Sequence, residues 1–90
     1  MVKVEVEVLK QLERKFRSSW EYAVSLKEKD RGLFVRALNS AIRELEKNLS
    51  LFGVEVELPR AEKGTTEEFL RLWRDIHSKV WGKPDKGEKR

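Results

Sequence analysis

VKVEVEV, residues 2–8, sets Val2, Val4, Val6 and Val8 against Lys3, Glu5 and Glu7, the period of a half-buried strand. Valine favours that conformation. No glycine, proline or turn residue separates the run from Leu9 and its successors, so a helix beginning as early as Val4 is the alternative. Against it, alternate valines scatter around a helix instead of sharing one face. The strand reading makes the chain an α+β protein.

From Leu9 the period changes. Leu9, Leu12, Phe16, Trp20, Ala23 and Val24 fall within one stripe, predicting a helix to about Lys29. Asp30-Arg31-Gly32 breaks it, with Gly32 suited to the left-handed conformation that ends helices. A central helix comes next over LFVRALNSAIRELEKNLSLFG, residues 33–53, with Phe34, Leu38, Ala41, Ile42, Leu45, Leu49 and Phe52 as its apolar face. Ala37, Ser40 and Ala41 leave room for a neighbouring helix to approach closely. Gly53 is placed to end this helix in a Schellman motif, with an apolar contact between Leu49 and Val54.

GVEVELP, residues 53–59, alternates again and reads as a second strand stopped by Pro59. Thr65-Thr66-Glu67-Glu68 has the form of a capping box. It opens a third helix that runs to about Trp81, with Phe69, Leu72, Trp73, Ile76 and Val80 inward. The expected order is strand, helix, helix, strand, helix, in one globular domain over residues 1–82. Residues 83–90, KPDKGEKR, are expected to form a disordered basic tail. Two strands make a marginal sheet with unpaired edges, so pairing across a two-fold axis predicts a homodimer.

The chain has 90 residues and no cysteine. That length supports a single modest core and the lack of cysteine excludes disulfides, thiolate nucleophiles and zinc sites built on cysteine. No apolar run approaches the ~20 residues of a membrane span, so no membrane partner is expected and the cytoplasm is the default compartment. Charged residues make up 40% of the chain and the formal net charge is +4. Abundant Lys, Arg and Glu with few thermolabile residues is the composition of proteins from very hot environments, which weakens net charge as an argument for nucleic acid.

Lys10, Arg14 and Arg17 project from one side of the first helix. With Lys83, Lys86, Lys89 and Arg90 of the tail they could grip phosphates of a nucleic acid. Glu13 and Glu21 border this row. Leu70, His77 and Trp81 form a second row on the third helix, beside its main stripe; with Val4 and Val6 of the strand they are candidates for a partner interface. Glu5, Glu7, Glu55 and Glu57 would share the outer face of the sheet, where a solvated or ion-paired role is favoured over a metal site. No metal or cofactor is expected. The interval from Arg71 to His77 resembles the arginine and histidine pair of small helical ribonucleases of the HEPN type. That resemblance implies RNA cleavage through these two residues, although Leu72 replaces the polar residue usual after the arginine and the chain is short for that fold.

These features favour a non-enzymatic binding or adaptor protein, acting through protein–protein interaction as a homodimeric assembly subunit. A nucleic-acid-binding protein is the alternative.

Overall fold

A computed structural model of the chain describes residues 5–82. Three helices succeed one another: α1 (Val6–Ser25), α2 (Arg31–Leu51) and α3 (Thr66–Trp81). No strand occurs among the described residues, so the expected α+β architecture is replaced by an all-helical one. The edges that argued for two-fold strand pairing disappear with it. Val2, Lys3 and Val4, and the expected tail with Lys83, Lys86, Lys89 and Arg90, lie outside the described residues.

The first strand gives way to α1 for a physical reason. Leu9, Leu12, Phe16, Trp20 and Ala23 form a buried stripe that nucleates the helix. Extending a helix already nucleated through three more residues costs only a few tenths of a kcal/mol per valine, and among the described residues no neighbouring strand offers the alternative bonds. Glu5 caps with extended backbone, its carbonyl accepting from the Leu9 N–H at 3.0 Å. Glu7 in the first turn suits the positive end of the dipole. Val8 packs on the core, while Val6 is left 66% exposed.

α1 stops at Ser25, earlier than the sequence pattern suggests, in a turn closed by the Asp30 N–H on the Leu26 carbonyl at 2.9 Å. Asp30 then caps α2, its carboxylate accepting from the Leu33 N–H at 3.2 Å. Gly32 therefore lies inside the first turn of α2 and does not break a helix. α2 is the buried centre, with Phe34, Leu38, Ile42 and Leu49 fully enclosed. α1 crosses it beside Ala37, Ser40 and Ala41, which face Ser18, Ser19 and Tyr22 across a shallow cleft. The C-terminus of α2 is the expected Schellman motif: Gly53 has φ +82°, and Val54 N–H meets Leu49 O while Gly53 N–H meets Ser50 O, both at 2.9 Å.

Residues 54–64 return along α2 as an irregular strap. Alternation in this stretch survives: Val54, Val56 and Leu58 face the core, and Glu55 and Glu57 face solvent. Its backbone bonds to side chains of α2 instead of another strand. Leu58 N–H donates to Glu46 Oε2 at 2.7 Å. Asn39 brackets Ala61, accepting from its N–H at 2.7 Å and donating to its carbonyl at 3.0 Å. Asn39 and Glu46 stand two turns apart on one face of α2, about 10 Å along the axis, a span that three residues of strap cover only when nearly extended. Arg60 completes the clasp with a forked pair to Glu46, its Nη2 2.7 Å from Oε1. Glu5 and Glu7 start a helix while Glu55 and Glu57 edge the strap, so the four share no sheet face.

The strap ends in a turn built around one carboxylate. Glu68 accepts from the backbone N–H groups of Glu62 at 3.0 Å, Lys63 at 3.1 Å and Gly64 at 2.9 Å. Thr65 caps α3 through the Glu68 N–H at 3.1 Å, one half of the expected capping box, while the glutamate serves the preceding turn. α3 thus begins beside the start of α2 and runs parallel to it. No described helix is long and apolar enough to cross a membrane.

Candidate binding groove between α1 and α3

Large aromatic side chains fill the seam between α1 and α3. The ring of Phe16 stacks parallel on Trp73 at 5.3 Å, and Trp73 to His77, His77 to Trp81 and Trp81 back to Phe16 lie at 5.4, 4.8 and 5.9 Å. Trp20 closes on both Phe16 and Trp73 at 5.4 and 5.5 Å. Helical spacing produces this cluster: Phe16 and Trp20 are one turn apart, as are Trp73, His77 and Trp81. Aromatic pairs at such distances add to what burial alone supplies. The Trp81 indole N–H donates to the Leu9 carbonyl at 2.8 Å, tying the end of α3 to the beginning of α1.

Outside the cluster lies an open groove of about 500 Å³ lined by Val6, Leu9, Lys10, Glu13, Arg14, Arg17, His77 and Trp81. The basic row of α1 and two members of the α3 row, which the sequence presents as separate candidates, therefore border one surface. Val6 joins them, while Leu70 does not: it stands 51% exposed away from the groove. Arg71 is also exposed on α3, and His77 has Glu13, not Arg71, as its hydrogen-bond partner.

Glu13 is the acidic residue of the groove lining. It accepts from Arg17 Nε at 3.1 Å, with the Arg17 Nη2 also bound, and lies 3.3 Å from His77 Nε2. A histidine carrying its proton on Nε2 donates this bond. Burial works to raise the Glu13 pKa, but the hydrogen bonds from Arg17 and His77, with their charge, outweigh it and hold the carboxyl below its ordinary value. Arg17 is held above its own ordinary value by the same carboxylate and lies over the Trp73 ring, 5.4 Å from its centre. It is thereby committed to the protein. Lys10 and Arg14 have no ion-pair or side-chain hydrogen-bond partner among the described residues.

The groove thus offers apolar surface from Val6, Leu9 and Trp81, two cations without a partner among the described residues, Lys10 and Arg14, and a neutralised ion pair between Glu13 and Arg17. The sequence presents Glu13 only as a charge bordering the basic row. Its spacing of four from Arg17 signals the pair, whereas its contact with His77 depends on how α3 packs. Among the described residues no group of three His, Asp or Glu side chains is placed to hold a metal ion. No protein-family model, curated protein or solved structure matches this chain, so its function is to be inferred from the groove itself.

Proposed function

We propose that the chain is a small non-enzymatic binding protein that acts through protein–protein interaction, with the α1–α3 groove as its working surface and an acidic, partly apolar segment as its ligand. The observation that carries this reading is the convergence of Lys10 and Arg14 with the apolar Val6, Leu9 and Trp81 on one concave surface. Apolar contacts supply affinity, and the two cations select sign and steer encounter. Catalysis finds less support, since His77 is occupied by Glu13 and flanked by Trp73 and Trp81. Base stacking finds less support too, because Trp81 already packs against Phe16 and His77.

Tryptophan fluorescence tests the proposal, as Trp81 lines the groove and Trp73 packs against His77 behind it. Titration with an amphipathic helical peptide carrying Leu on one face and Glu on the other should change the emission saturably, and Lys10→Glu with Arg14→Glu should weaken binding about tenfold or more. A response to single-stranded RNA in place of the peptide, lost in the same variant, would transfer the groove to nucleic acid. No response to either at concentrations where the chain is monomeric would show that the groove is not a binding surface.

A further inference from the structure

A second surface is left uncovered among the described residues, and it complements the first. The Schellman turn at Gly53 directs Leu49 and Val54 inward and leaves Leu51 75% and Phe52 51% exposed. Two adjacent large apolar side chains in water mark an interaction site more often than chance placement does. Residues 50–57, SLFGVEVE, carry the exposed Glu55 and Glu57 and no basic residue. The knob's own residues are apolar and acidic, with Lys79 of α3 beside them through a 2.7 Å bond to the Glu57 carbonyl, whereas the groove is apolar and basic.

Both lie at one end of the molecule. Lys15 and Glu44 pair across the antiparallel helices at 3.8 Å, so seven residues back along α1 and seven forward along α2 bring Val8 level with Leu51. The knob therefore stands at the same end of the molecule as the groove, held by the turn at the end of α2 and lining no part of the groove itself.

We propose that the occupant of the groove is the knob of a second copy of this chain, in a reciprocal two-fold dimer. Leu51 and Phe52 of each copy seat against Val6, Leu9 and Trp81 of the other, with Glu55 and Glu57 facing Lys10 and Arg14. Two-fold symmetry makes each contact twice and closes the assembly. The inference rests on the groove being the binding surface and adds what fills it.

Sedimentation velocity of the full chain from micromolar to millimolar concentration reads the result. Wild type should dimerise, and Phe52→Glu, or Leu51→Asp should the first not fold, should raise the dissociation constant about tenfold or more, as should Lys10→Glu with Arg14→Glu. An equimolar mixture of a knob variant and the groove variant should regain a heterodimer, since one of the two contacts is intact. Three results overturn the inference: a monomer at every concentration, a dimer indifferent to both sets of substitutions, or variants that fail to complement. If the monomer's groove still binds acidic peptide or RNA, that ligand is the occupant and the groove reading stands without the dimer.

Discussion

The indole N–H of Trp81 donates to the backbone carbonyl of Leu9 at 2.8 Å, and that bond fixes the distance between the two helices that border the groove. Here the residue closes the seam of its own fold and offers the groove only part of its ring. Trp81→Phe should therefore keep the fold and lose about 1 kcal/mol, lowering the thermal midpoint by roughly 4–8 °C. Trp81→Ala, which also empties the contact with Phe16 and His77, should cost about 2–4 kcal/mol. Calorimetry separates the two; equal midpoints for wild type and both variants would show that the indole holds nothing.

The strap depends on Asn39. Replacing it by Ala leaves the Ala61 N–H and C=O without their partners and should cost about 1–3 kcal/mol. Amide exchange at Leu58 and Ala61 should accelerate beyond the global change, since the strap can lift while the helices persist. Uniform acceleration would contradict that picture.

Gly64 sits at φ +72°, and a Cβ there would lie 2.9 Å from both Arg31 Cγ and Val35 Cγ2. Gly64→Ala thus combines a left-handed backbone with crowding against α2 and should destabilise by roughly 1–3 kcal/mol. Gly53→Ala shares the positive φ but has open space around it, so it should cost less. Urea denaturation of both variants checks the order.

Acid should unfold the protein through three carboxylates. Glu13, Glu46 and Glu68 are all held below the ordinary value of 4.5. Glu46 is lowered chiefly by the Arg60 hydrogen bond; at Glu68 burial opposes the shift and the three backbone N–H bonds outweigh it. A depressed folded-state pKa contributes stability that is fully present above the unfolded value and is lost as pH falls through the folded one. Stability should hold above about pH 5 and decline below about 4.5, and Glu68→Gln should be less stable at neutral pH with a shallower acid limb. An unaltered acid limb would place the sensitivity elsewhere.

Local pattern carried much of this structure and stopped where pairing began. The stripes of Phe16, Leu38 and Ile76 and the Gly53 turn are legible because each is set within a few residues along the chain. VKVEVEV misleads because its alternation describes valines, whereas its conformation is set by the stripe beginning at Leu9. In GVEVELP the alternation correctly marks an extended, half-buried segment. A strand also needs a partner backbone, and here Asn39 and Glu46 of α2 take that place. Nothing in the spacing of those two residues from Leu58 and Ala61 announces the contact. The groove was legible in its parts, Lys10, Arg14, Val6, His77 and Trp81, but not as one site, because only the packing of α3 on α1 brings the two rows together.

Every role proposed for the groove requires these two rows to form a single binding surface. Nitrogen–proton correlation NMR of the full chain, titrated with the acidic Leu/Glu peptide, reads both at once through the Lys10 and Arg14 amides and the Trp81 indole N–H. The expected result is that these signals move together on one binding curve, while Leu70 and Arg71 stay in place. Signals that move on one helix only, or a peptide that binds while Lys10, Arg14 and Trp81 remain still, would contradict it.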